Sequence, residues 1–288
     1  MRTPNVAFVS LLALALSTSV CAAPVFFEVG GNAAPSSIQA TVDNFRAALG
    51  NPNNGNAAGP LGSGRREINW DGGGVDTTVP GGTPFDVFLQ IRGARFTTAG
   101  SGFVQAPEAG GANGGLETFF NNVTYGTTFN TFSSPRLFAP VGSNVLDGLF
   151  FIPGSNGLAP ATVGGFGAVF TDVDLANTTT LSFFDVGNNL LATRSVQAGT
   201  LADGSLSFLG VLFNAGEQIA RVRITSGTTA LGAGINDNPA AGVDLVVMDD
   251  FLFREPAVQV PEPSTWALVG VAGLALLAGR RRQRALSS

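Results

Sequence analysis

The sequence predicts an all-β protein: a jelly-roll-like β-sandwich with one short N-terminal helix, and a separate apolar helix near the C-terminus. Three observations carry this. Between its two apolar ends the chain is a succession of short β-branched or aromatic runs, each bounded by Gly, Asn, Pro or Asp. The 39 Gly and 16 Pro punctuate turns rather than long helices. The 23 Phe supply the apolar bulk for a packed interior. Short strands separated by Gly-rich turns, with little helix, suit two packed sheets.

Residues 1–22 read as a secretory signal peptide. Met1 and Arg2 make a positive start, the run VAFVSLLALALSTSV is apolar, and Val20 and Ala22 meet the small-residue rule before a cut after Ala22. Signal peptidase is the implied partner. Cys21, the only cysteine, lacks the small residue directly before it that a lipid-anchored N-terminus needs, and is expected to leave with the signal. Disulfides then play no part in the fold.

The ectodomain is expected over residues 23–256, as one domain. It opens with a helix: Ser36 and Gln39 fit a capping box, Ile38, Val42, Phe45 and Leu49 form one apolar stripe, and Gly50 supplies the stop. A Gly/Asn/Pro loop comes next, then SGRREINWDGGG, a polar segment holding one of two tryptophans. Strands are expected at 86–92, 94–98, 116–120, 146–151, 167–174, 180–185, 206–212, 218–225 and 243–253. No 20–50-residue repeat of propeller or solenoid type is visible.

Composition excludes several function classes. Arg2 and the four tail arginines are five of the 15 basic residues, which leaves ten against 20 acids, a net −10 for residues 23–263. An acidic domain with scattered arginines repels phosphate backbones, so nucleic acid is not an expected partner. The chain has no His and no Lys. That removes Ser-His-Asp and Cys-His catalysis, His/Cys zinc sites, and P-loop or Schiff-base lysines. Carboxylates are what remain for chemistry.

Three acidic groups stand out. Asp172 and Asp174, two apart on an expected strand, face the same way, whereas Asp249 and Asp250 face opposite ways in an apolar strand. Glu67, Asn69, Asp71 and Asp76 lie in a Gly-rich loop. Such oxygen ligands suit Ca²⁺, and Asp172, Asp174, Asp249 and Asp250 are its candidate ligands. Turn capping, or pairing with Arg221 and Arg223, accounts for the same acids without a metal. A carboxylate-pair glycan hydrolase is the catalytic alternative. Trp70 beside Asp71 is a candidate sugar-binding pair, although with one Trp and one Tyr in the domain a core role for Trp70 is the more economical reading.

Residues 257–288 form the tail. Val260-Pro261-Glu262-Pro263-Ser264 is held extended by its prolines. The uncharged run Trp266–Gly279 is next, 14 residues that as a helix reach only about 21 Å, short of a bilayer core of roughly 30 Å. Arg280, Arg281, Arg282 and Arg284 are expected to stay cytoplasmic and fix the orientation. Motif, apolar helix and terminal arginines, in that order, resemble the PEP-CTERM sorting signal of Gram-negative bacteria. The resemblance implies recognition by an exosortase, a membrane-tethered intermediate at the inner membrane, and a final place at the cell surface or in an exopolysaccharide matrix. A plain C-terminal anchor is the competing reading. The stretches SGRREINWDGGG, GAVFTDVDL and VVMDDFLF are similar to those of ectodomains found before such tails, a resemblance that implies no activity.

Overall fold

The computed structural model describes residues 23–72 and 74–258; the expected signal peptide, the sorting motif, the apolar tail helix and the tail arginines lie outside the described residues. The chain begins with β1 (Val25–Gly30), α1 (Ser36–Leu49), β2 (Arg65–Ile68), β3 (Val79–Gly81), α2 (Leu89–Arg92), β4 (Ala94–Thr98) and β5 (Gly102–Ala106). Short helices α3 (Leu116–Phe119) and α4 (Tyr125–Thr128) precede β6 (Leu137–Val141), β7 (Val145–Phe150), β8 (Ala161–Thr162) and β9 (Gly165–Thr171). Then come β10 (Thr180–Phe184), β11 (Leu190–Ser195), β12 (Leu206–Leu212), β13 (Arg221–Thr225), β14 (Val247–Arg254) and β15 (Ala257–Val258).

The strands make an all-β sandwich. One sheet runs β1-β12-β9-β14-β6-β5-β3, with β2 also paired to β14; the other runs β11-β10-β13-β7-β4. All these pairs are antiparallel, and only β5–β6 and β10–β11 join strands consecutive in the chain. Burial explains the strand sequences. In the smaller sheet β7, β10 and β13 bury alternate residues and leave one face to water. In the larger sheet β9 is buried throughout, because both of its faces are covered.

The inner face meets the second sheet in a phenylalanine-rich core that includes Phe96, Phe103, Phe138, Phe166, Phe183 and Phe251. Two covers close the outer face. One is α1, whose Ile38, Val42, Phe45 and Leu49 are buried against Val169, Leu206, Phe208 and Leu252, the stripe expected from the sequence. Its approach is close because Gly167 and Gly210 pair across β9 and β12 beneath Phe45. A Cβ at either glycine would stand 2.7 Å from the Phe45 ring. The other cover is the α3–α4 segment, where Leu116, Tyr125 and Phe129 pack with Leu245 and Val247.

Several expectations are corrected. Residues 116–120 form α3 and its C-cap, Phe120, rather than a strand, and 86–92 form a turn and α2, with Gly93 at φ 72° closing that turn. Both segments are too short to display a helical period. The capping box at Ser36 is absent: Pro35 is the N-cap, Ser37 bonds Asn32, and Gln39 bonds Asp43. Strands β1, β2, β3, β5, β6, β8, β11 and β15 lie outside the expected set. Beyond Arg254 the chain pairs once more, Ala257 and Val258 against Thr162 and Ala161.

Candidate functional site

Two acidic centres are built on β14 and its neighbours. The first lies at a β-bulge. Met248 pairs with Phe170 and Phe251 with Ala168, so Asp249-Asp250 occupies one position too many opposite β9. At this bulge β14 exchanges β6 for β2 as its second neighbour. The two carboxylates, expected on opposite faces, therefore meet. Ser133 Oγ lies 2.6 Å from Asp250 Oδ1, 3.3 Å from Asp249 Oδ1 and 3.0 Å from Asp71 Oδ2. One hydroxyl hydrogen serves one acceptor, so the remaining contacts require protons on carboxyl groups.

Electrostatics agree. Burial, reinforced by the Asp250 charge, holds Asp249 well above the usual carboxylate range. Its Oδ2 accepts from the backbone N–H groups of Phe132 and Ser133 at 2.6 and 3.1 Å. Burial lifts Asp250 to about 6, while Ser133, Asp249 and Arg46 pull the other way. Asp71 is raised by burial against the Arg136 N–H and Ser133 bonds. Both Asp249 and Asp250 are buried, and Arg46 bridges from Asp250 to Glu67. This centre is a proton-sharing knot that ties the 129–136 segment to β14.

Trp70 belongs to the same construction. Its left-handed backbone, φ 65°, is unusual for a bulky side chain and turns the ring inward after β2. The indole stacks on Phe138 at 3.8 Å, meets Phe251 edge-on, and donates from Nε1 to the Asp249 carbonyl at 2.7 Å. Only 1% of Trp70 is exposed, so it has no face to offer a sugar; it is a core residue. Asp71 borders a surface depression with Asn56, Asn69 and Arg92, and a second depression is flanked by the Glu28–Arg194 ion pair; each contains a single carboxylate.

The second centre gathers Asp172, Asp174 and Asp237, each offering an oxygen within 4.8 Å of the others. β9 ends at Thr171, and Asp172, at φ 69°, turns the chain so that it and Asp174 still converge. Asp237 comes from the β13–β14 connection and accepts a bond from Leu245 N–H at 2.8 Å. Asp244, just before β14, accepts from Asp174 N–H at 3.0 Å and from the Thr178 hydroxyl. Burial, with the charges of Asp174 and Asp237 beside it, pushes Asp172 up to about 9. Burial also raises Asp237, to about 6, as well as Asp174 and Asp244.

The four expected metal ligands thus fall into two separate centres, and Asp249 and Asp250 do not join the oxygens of Asp172 and Asp174. Arg221 and Arg223 pair with Asp147 across β7–β13, at 2.8 Å each, not with the strand-end acids. Sequence reasoning missed Asp237, Asp244 and Ser133. The only hint of the first two was the Asp/Asn-rich stretch NDNPAAGVD before β14.

Among the described residues no helix is long and apolar enough to cross a membrane. The segment beyond the sandwich defines the class of the protein: an all-β domain whose last described strand, β15, is followed in sequence by a sorting tail. Residues 259–282 match the family described as the PEP-CTERM protein-sorting motif. This chain carries that motif, which supports an exported, exosortase-targeted protein. Neither the comparison with curated proteins nor that with solved structures returned a match.

Proposed function

We propose that this is a non-catalytic cell-surface or extracellular-matrix protein of a Gram-negative bacterium, delivered by exosortase processing and associated with exopolysaccharide. The observation that carries it is the sorting motif at 259–282, placed directly after an acidic sandwich. Signal peptidase acts first. An inner-membrane-tethered intermediate comes next, oriented by Arg280, Arg281, Arg282 and Arg284, and the exosortase then acts near Pro261-Glu262-Pro263. The non-catalytic part is supported by the acids themselves. Among the described residues Asp249 and Asp250 are enclosed and bonded to Ser133, and the depressions beside Asp71 and Glu28 each hold one carboxylate rather than the pair that a glycosidase uses. Asp172, Asp174 and Asp237 do converge and are read below as a binding centre.

The test is to delete residues 260–288 and follow the protein in its own cells. The truncated form should stop short of the surface or matrix fraction. If it reaches the same final location as the full chain, the sorting reading is wrong. The polysaccharide reading is tested separately, by co-sedimentation of the protein with purified exopolysaccharide from the same cells; failure to co-sediment would remove that association.

A further inference from the structure

We infer that Asp172, Asp174 and Asp237 form a binding site for a hard divalent cation of the Ca²⁺ class, which fastens three connections of the sandwich together. The inference is independent of the sorting tail.

The spacing of the three carboxylates fits a single ion. Oxygens bound to one Ca²⁺ at about 2.3–2.6 Å lie no more than about 5 Å apart. The three carboxylate oxygens are within 4.8 Å of one another. Two of the carboxylate oxygens lack a partner. Asp172 is fully enclosed; Gly204 N–H occupies its Oδ1, while its Oδ2 has no hydrogen-bond partner. Asp174 Oδ1 is likewise buried and unpartnered. A buried carboxylate oxygen without a donor is costly, and a cation is the partner that would remove the cost for both at once.

Countercharge is distributed away from this cluster. Arg46, Arg65, Arg66, Arg95, Arg194, Arg221 and Arg223 all form ion pairs, and every one goes to an acid elsewhere. Among the described residues no guanidinium pairs with Asp172, Asp174, Asp237, Asp203 or Asp244. The charges that act on Asp172 are those of Asp174, Asp237 and Asp203, all of its own sign. Seven arginines neutralise acids elsewhere on the domain and leave this end to something that does not belong to the chain. Oxygen-only ligands and the absence of His and Cys select a hard cation over zinc or copper.

The connections involved follow from the ligands. Asp172 and Asp174 begin the β9–β10 connection, Gly204 holds the β11–β12 connection to Asp172, and Asp237 represents the β13–β14 connection. One ion would therefore lock three loops at a single end.

The experiment is calorimetric titration of CaCl2, and of MgCl2 in parallel, into the full-length protein purified with a chelator and then freed of it. Thermal melting is followed with and without Ca²⁺. One Ca²⁺ per chain is expected, with a Tm rise of about 5–10 °C at a hundredfold excess over Kd. Asp172→Asn and Asp237→Asn, near-isosteric changes, should each weaken binding at least tenfold, whereas Asp249→Asn, in the other centre, should leave it intact. Hydrogen exchange on the unaltered chain guards against variants that fail to fold: Ca²⁺ should slow exchange at 172–178, 200–205 and 229–245. No heat and no Tm change at 10 mM Ca²⁺ would overturn the inference. So would binding retained in both Asn variants, or protection that maps elsewhere.

Discussion

Arg66 and Glu255 meet in a two-pronged ion pair, Nε and Nη2 each 2.7 Å from a carboxylate oxygen, with the arginine side chain fully enclosed and that of Glu255 3% exposed. The third guanidinium nitrogen, Nη1, donates to the carbonyls of Gly55 and Ala57 at 2.9 and 2.7 Å, so one side chain ties β2 and the 50–64 loop to the end of β14.

Breaking this pair should be expensive. Glu255→Gln leaves a buried guanidinium uncompensated and should destabilise by about 3–5 kcal/mol, a Tm fall of roughly 6 °C or more. Asp86→Asn removes the Arg95 pair, whose partners are both partly exposed, and should cost less than about 1 kcal/mol. Calorimetric melting of the two variants side by side checks the contrast. Equal effects would mean that burial does not set the energetics of these pairs.

The Gly167–Gly210 pair under Phe45 predicts an overpacking defect. Gly210→Ala drives a methyl into the ring from within the sheet and should destabilise by about 1–3 kcal/mol. Adding Phe45→Leu, which shrinks the ring side chain, should recover part of the loss. A double variant whose loss equals the sum of the two single losses would show that Phe45 is not what the methyl meets.

Trp70 should behave as a structural residue. Trp70→Phe keeps much of the apolar ring but leaves the buried Asp249 carbonyl without its donor, a cost of about 1–3 kcal/mol from that loss alone. Sugar binding, if present, should survive in the folded fraction. Loss of glycan binding at unchanged stability would reverse this assignment.

The Asp249–Asp250–Ser133 knot predicts a pH dependence of unusual sign. Asp250 titrates near 6 in the folded protein, and near 3.9 when unfolded, the ordinary value of a free aspartate, roughly. Between those values the folded state holds more protons, so stability falls as pH rises from about 4 to about 6, and below 4 the penalty is gone. Asp237 adds to the same fall, whereas Asp147 and Glu28, held below their usual range by arginines despite burial, act in the opposite direction. The diagnostic is therefore a difference. Asp250→Asn should melt with a flatter pH dependence than the unaltered protein across that window. Parallel curves would refute the proton-sharing account.

Legibility from sequence tracks locality. The α1 stripe is readable because four apolar residues on one 3.6-residue period need no distant partner to reveal them. Strands β9, β12 and β14 are readable as apolar runs. α3 is not, since a single turn shows no period and Leu116-Glu117-Thr118-Phe119 is β-like in composition. β1 is obscured by the apolar leader just before it. In the sites, Asp172 and Asp174 can be paired by their spacing, but Asp237 reaches them only through the fold. The bulge at Asp249-Asp250 reverses an argument from strict alternation, because one extra residue is enough to bring both carboxylates to Ser133.

The run of β9 and β14 gives the domain a near end and a far end. β8 precedes β9 and pairs with β15, while Asp172 comes after β9, and the seven residues of β9 span about 23 Å. Asp244 precedes β14 and Glu255 lies just beyond it, in the reverse sense. The described chain therefore ends at the Glu255 end, and the uncompensated aspartates crown the opposite one. The matched sorting motif begins at residue 259, directly after Val258 of β15 in sequence. A cation at the proposed Asp172, Asp174 and Asp237 site would therefore sit at the end of the sandwich away from β15, the strand that precedes the motif in sequence.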